Sequence, residues 1–470
     1  MIGRFAKQAL AAAATALVAM PVAAASADSL IRDAEIEATL RAYADPIFEA
    51  AGLDAAAVQV HIINNGRINA FVSGGMQMFV HTGLLTAAGS PNEVIGVIAH
   101  ETGHISGGHL SRIDEEIENA TIEMIIGTLI GVAVGVLVED PAPVVVGQSA
   151  GQMAALRKLM KHTQNEERAA DQTAFHLLEA TGQAPDGMAS FFRVLQRQEA
   201  LSTDRQDPYL RTHPLTSSRV DAAETAVARS AHAGKPDSAE MTMRHQRMLA
   251  KLNGYLKPLT QVMALYPKSD QSVPARYARA IALYRASRMD EALAIMDDLL
   301  AEAPHDPFFI EQKAQILYEN GRVAEALPLY QQALDLAPDE PLIRFELAQA
   351  QIQLVEMAEG RPVDPALLPA AIDHLKRVVH LESKNPDAYK LLAIAYGRQG
   401  DMPTAHLFQA EELLARGKGK SAKKLAERAL AGLPAGSPGW LRAQDIQFAA
   451  DQREEDGYEF AGPVTQAALP

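Results

Sequence analysis

The chain has 470 residues, 48% hydrophobic and 21% charged, the balance of a globular protein able to bury more than one core, so two domains are expected. Its formal charge of −15 lacks the basic excess that phosphate neutralisation demands, which argues against a nucleic-acid ligand. No cysteine is present, so neither a disulfide nor a lipidated cysteine is available.

Arg4 and Lys7 precede an apolar stretch from Ala9 to Val22, and small residues follow at Ala25-Ser26-Ala27. This is the pattern of a cleaved secretory signal over 1–27, because the apolar run falls short of the roughly 20 residues that cross a bilayer. From Asp28 to Lys257 helical stretches surround one region of strand character. Val58–Ile63 reads as a strand, a turn follows at Asn64-Asn65-Gly66-Arg67, and Asn69-Ala70-Phe71-Val72 resumes. Ser73-Gly74-Gly75 breaks it and Gln77–Val80 reads as a further strand, so a small sheet beside helices is expected. Ser90-Pro91-Asn92-Glu93 starts a helix, with Ser at N-cap, Pro at N1 and Glu at N3 as a capping box. The uncharged run 124–138 carries Gly127, Gly131 and Gly135 on one helical face. Being too short to span, it is expected to be a closely packed helix, with peripheral lipid contact as the alternative.

After Ala233-Gly234-Lys235-Pro236 the strand signal ends and a repeat begins. Ala280, Tyr284, Ala292 and Leu293 recur 34 residues later as Ala314, Tyr318, Ala326 and Leu327, and Pro304 and Pro307 recur as Pro338 and Pro341. The period and pattern resemble the tetratricopeptide repeat. Glu359–Pro365 interrupts the phase, so that the step from Pro341 to Pro386 is eleven residues too long, and Ala393, Tyr396 and Gly400 mark another unit. A last helix pair is expected to end near Leu433. The fold class is thus α+β, mainly α: a catalytic domain with a small sheet over 28–257, an all-α solenoid over 258–440 and a tail over 441–470. A solenoid of this kind presents a concave surface to peptides or proteins.

The chemistry centres on His100-Glu101-Thr102-Gly103-His104. Residues four apart share a helix face, so His100 and His104 direct two imidazoles at one metal ion. Glu101 lies about 100° round, near enough to reach a water at the ion without ligating it, and so serves as general base of a zinc hydrolase. Two candidates compete for the third ligand. His109 follows Gly107-Gly108 but lies about 140° from His104 on a continuous helix, so it joins only if the glycines break the helix. Glu167 is the better placed: it shares a helical face with Asp171, which then orients a ligand histidine. Pro214 disfavours helix at His213, which puts that imidazole on a loop.

These motifs together resemble the HtpX-like gluzincin metallopeptidases, in particular the BepA-like members with a C-terminal tetratricopeptide array. The resemblance covers nearly the whole chain after residue 27. It rests on Asn69-Ala70-Phe71, on His100–His104, on Glu167-Arg168-Ala169-Ala170-Asp171 and on His213-Pro214 followed by Arg219. It implies one Zn²⁺ per chain held by His100, His104 and Glu167, with Glu101 as base and Asn69-Ala70-Phe71 as an edge strand pairing with extended substrate. His213 is then expected to face the zinc, either donating to the developing oxyanion or filling the open zinc position, while Arg219 anchors the loop or offsets charge. The resemblance further implies a periplasmic endopeptidase in protein quality control. Its expected partners are unfolded or misassembled exported proteins and, through the repeats, the outer-membrane assembly machinery. A chaperone or scaffold in which proteolysis is secondary is the competing function.

Overall fold

The computed structural model describes residues 29–74, 76–109, 164–201, 209, 213–358, 362–455 and 466–468. The signal expected over 1–27 and the apolar run 124–138 lie outside them. Asp33 caps helix α1 (Ala34–Ala50), its carboxylate accepting the Ile36 N–H at 2.9 Å. The preceding residues form strand β1 (Ser29–Arg32), which lies in one sheet with β2 (Gln59–Asn64), β3 (Ala70–Ser73), β4 (Gln77–His81) and β5 (Gln466–Ala468). The order is β3-β4-β2-β1-β5: β2 and β4 are parallel, β5 joins β1 in parallel, and β3 pairs antiparallel with β4. Alternation along β3 buries Ala70 and Val72 and leaves Phe71 half-buried, as expected of a sheet with one face on a core.

After the short helix α2 (Thr82–Ala87) comes α3 (Pro91–Ser106), which carries the paired histidines. The Ser90 hydroxyl accepts the Glu93 N–H at 3.3 Å as the capping pattern requires. The reciprocal arm differs: the Glu93 carboxylate takes the N–H of Gly89, at 2.7 Å, and the Ser190 hydroxyl, tying the cap to a distant helix. Val94, Ile95, Val97 and Ile98 are buried against the sheet and neighbouring helices, each contributing roughly 1.5–3 kcal/mol. Helix α4 runs over 164–180 and is followed by α5 (Asp186–Leu201), α6 (Ser217–Arg229) and α7 (Ala239–Leu256).

Among the described residues five helix pairs then stack as repeats. Their first helices are Val273–Arg285, Pro307–Glu319, Pro341–Met357, Pro386–Arg398 and Gly419–Gly432. The repeating Ala280, Ala314 and Ala348 are fully buried because the paired helices need a small side chain at their crossing. Each intra-repeat turn reverses through a left-handed residue: Gly321 at φ 75°, and at the equivalent place in the first unit Ser287 at φ 58°. The array extends past the expected last pair. Helix Pro438–Glu455 spans the 440/441 boundary and packs on Gly419–Gly432, with Ala443, Ile446 and Ala450 buried beneath it.

The expected boundary at 257/258 is likewise not a break in packing. One hydrophobic core runs from Ile31 through Phe48, Phe191, Tyr255 and Tyr277 to Phe309 and Ile316. Helix α7 bridges it, meeting α1 and α3 on one side and Val273–Arg285 on the other. A buried ionic cluster lies in the same joint: the fully buried Lys251 ammonium is 2.8 Å from Asp33 and 3.7 Å from Glu35 and Glu311.

Candidate metal centre

Helix α3 points His100 and His104 at α4, and Gly103 between them permits the approach. A Cβ at Gly103 would lie 2.8 Å from the Ala170 carbonyl oxygen and 2.9 Å from its Cα, so a larger residue would push the helices apart. Across this contact α4 presents Glu167 and Asp171, one turn apart.

Four donor atoms converge. The Nε2 atoms of His100 and His104 are 3.1 Å apart. Glu167 places carboxylate oxygens 3.4 Å from His100 Nε2 and 3.3 Å from His104 Nε2. The Nδ1 of His213 is 3.0 Å from Glu167 Oε1 and 3.4 Å from His100 Nε2. A tetrahedral ion with ligands at about 2.0–2.1 Å holds them about 3.3 Å apart, so these separations are the edges of such a coordination sphere. The donor set, two or three imidazoles with one carboxylate, suits a borderline ion such as zinc.

Each α3 histidine is fixed from behind. His100 Nδ1 lies 2.9 Å from Asp171, leaving Nε2 for the ion. His104 Nδ1 meets His109 Nδ1 at 2.9 Å. The helix does end at Gly107-Gly108, with Gly108 at φ 62°, and His109 does swing round, but it reaches the outer nitrogen of His104 and not the donor cluster. Arg219 closes the arrangement. Its guanidinium binds both Asp171 oxygens at 2.7 and 2.8 Å, Glu167 at 2.8 Å and the Pro214 carbonyl at 2.9 Å, and it lies over the Phe192 ring.

The electrostatics demand a cation. Burial alone would raise the Glu167 carboxyl, but His100, His104 and His213 outweigh it and hold the group far below the carboxylate range. Burial disfavours the His100 imidazolium, yet Asp171 and Glu167 overrule it and lift its pKa to about 10. Burial keeps His104 below its ordinary value. Glu101 is fully buried, and neither carboxylate oxygen has a hydrogen-bond partner; His213 Nε2 stands 3.6 Å from one of them. An unsolvated carboxylate costs several kcal/mol and is retained where chemistry needs a proton acceptor.

Of the strand residues singled out in the sequence, Ala70 and Phe71 lie in β3 and Asn69 immediately before it, its side-chain oxygen buried without a hydrogen-bond partner. β3 is an edge of the sheet among the described residues and packs beside α3. Sequence reasoning missed Tyr209, whose buried ring stacks 4.7 Å from His213 and whose carbonyl accepts the His213 N–H at 2.7 Å. Its spacing of four from His213 was the available signal. It also missed His109 as a partner of His104 and Gly103 as the close-approach point.

Fold and site together define the class: a helical metallohydrolase domain with an edge strand beside its paired-histidine helix, followed by a repeat solenoid. The chain contains a peptidase family M48 domain, matched over residues 31–227, and tetratricopeptide repeats, matched over 268–307 and 312–364; with the His100, His104, Glu167 and His213 cluster, the first is a metalloprotease domain. The chain is similar to the beta-barrel assembly-enhancing protease of Yersinia pestis, 28% identical over 259 residues, covering 54% of this chain and 53% of that protein. The protein of that name from Escherichia coli (strain K12) is 27% identical over 261 residues, covering 54% and 52%. Metalloprotease LoiP of the same strain is 30% identical over 156 residues, covering 33% and 56%. The chain spans about half the length of the curated relatives it matches. No helix among the described residues is long and apolar enough to cross a membrane.

Proposed function

We propose that the chain is a zinc-dependent endopeptidase of periplasmic protein quality control, acting on outer-membrane or other exported proteins that its repeat domain receives. One observation carries the reading: four donor atoms at the edges of a tetrahedron, with the unpartnered Glu101 carboxylate beside them. His100, His104 and Glu167 would hold the ion, Asp171 and His109 orienting the two imidazoles. Zinc, when bound, polarises the scissile carbonyl and makes water acidic enough to deprotonate near neutrality. Glu101 takes that proton and returns it to the leaving amine. Arg219 anchors the carboxylates and the His213 loop, and the open edge of β3 pairs with extended substrate. The relatives' printed name and the repeat array support outer-membrane proteins as substrates.

For His213, the Nδ1 position at 3.0–3.4 Å from the other donors favours the plugging role over oxyanion binding. Ring rotation or withdrawal of the loop frees the position for substrate. His213→Ala is expected to raise basal cleavage of an unfolded protein severalfold; lowered cleavage would return the residue to the oxyanion role.

The reading is tested on the purified full chain by elemental analysis and cleavage of an unfolded outer-membrane protein. One zinc per chain is expected, with cleavage lowered about 10²–10⁴-fold in Glu101→Gln while the zinc remains. Cleavage that survives this substitution would overturn the mechanism. The scaffold alternative gains if cells carrying only Glu101→Gln assemble outer-membrane proteins normally.

A further inference from the structure

We infer that Phe71, Phe79 and His61 form a specificity-determining subsite that selects an aromatic side chain in the bound polypeptide. The inference rests on the reading that substrate pairs along β3. Strand register sets Phe71 opposite Phe79 and Phe79 opposite His61, so the three side chains form one row across β3, β4 and β2. Their rings are stacked: Phe71 and Phe79 have centroids 5.0 Å apart with planes 16° from parallel, Phe79 and His61 4.9 Å apart at 25°. That repeat is the spacing of neighbouring strands, about 4.8 Å, so the stack advances one ring per strand. All three are half-buried, on the face opposite the buried Ala70 and Val72. His61 is itself held by Gln77 at 2.6 Å, and burial lowers its pKa, so it stacks as a neutral ring.

The row stops at the edge of the sheet, and the backbone there is set to continue it. The Asn69 carbonyl accepts the His81 N–H at 2.9 Å, so Asn69 turns its backbone groups toward β4. By antiparallel alternation Phe71 does the same, while Ala70 and Val72 turn theirs to the open edge. An extended chain bonded to Ala70 and Val72 places one residue directly opposite Phe71 in a pair without mutual hydrogen bonds, the closer kind, at about 4.5 Å between Cα atoms. A ring at that residue becomes the fourth member of the stack. Stacking beyond simple burial makes it about two- to tenfold preferred over alanine. An acidic side chain finds no matching charge in the row, whose cationic end, Arg32, is engaged by Glu37 and Glu382.

The test uses zinc-loaded full-length Glu101→Gln to capture peptides uncut. Two extended peptides are compared that differ only by Phe or Ala at alternate positions on one face. The Phe peptide is expected to bind about fivefold tighter. The ratio should fall to near one when Phe71→Leu is added and survive Phe71→Tyr, with melting curves confirming that each variant folds. In parallel, cut sites of the wild-type chain on an unfolded protein should show aromatic residues at one fixed distance from the scissile bond. Equal binding of the two peptides, or a ratio untouched by Phe71→Leu, overturns the subsite. A preserved ratio with no Glu101-dependent cleavage overturns the peptidase reading and leaves the subsite standing.

Discussion

Two buried ionic clusters lie in this molecule, and their difference separates function from fastening. At the joint between α7, α1 and the first repeats, Asp33, Glu35 and Glu311 surround Lys251, while Arg247 bridges Glu35 and Asp306. That cluster contains its own cations. At the metal centre Glu101, Glu167 and Asp171 face one arginine and histidines whose lone pairs converge on a point. That cluster requires a charge from outside. Both exclude water, so each is costly to unbalance, but only the second has a use for an exchangeable ion and an unpartnered base.

The largest effect expected from breaking this contrast is at the joint. Lys251→Met leaves buried carboxylates without their partner and should cost about 3–5 kcal/mol in urea unfolding. A loss well below 1 kcal/mol would mean that the joint is not a fastening. At the metal centre, Asp171→Asn should leave the fold almost unchanged and weaken zinc affinity about 10–100-fold in a chelator competition, because the orientation of His100 is lost. Unaltered affinity would remove Asp171 from the site. The smallest effect concerns pH. Burial, beside the charges of Asp33 and Glu35 and against the pull of Lys251, raises Glu311 from 4.5 to about 7. A group raised in the folded state contributes stability in full below its unfolded pKa and loses it as pH rises through the folded one. Glu311 should therefore withdraw on the order of 1–3 kcal/mol between about pH 4.5 and 7. Glu311→Gln should flatten the stability profile across that window, and an unchanged slope would refute the assignment. Lys251, raised well above 10.5, follows the same sign at higher pH and holds its contribution throughout this window.

Features carried by nearest neighbours were legible from the chain alone. The Ser90-Pro91-Glu93 start, the four-residue spacing of His100 and His104, the pairing of Glu167 with Asp171 and the 34-residue repeat all follow from helix geometry. That geometry puts residues three, four and seven apart on one face whatever lies around them. The strand segments were readable as alternation, but their order was not: a parallel β2–β4 pair with β1 beside β2 depends on partners far apart in sequence. Only the tertiary structure decided that Gly103 is the contact point of two helices, that His109 backs His104 without entering the donor set, and that His213 turns Nδ1 into it. The same holds for Lys251, which reads as one of many helical lysines until Asp33 and Glu311 close around it. Local periodicity assigns a residue to a face; which groups meet across two faces is set by packing, and no spacing along the chain encodes it.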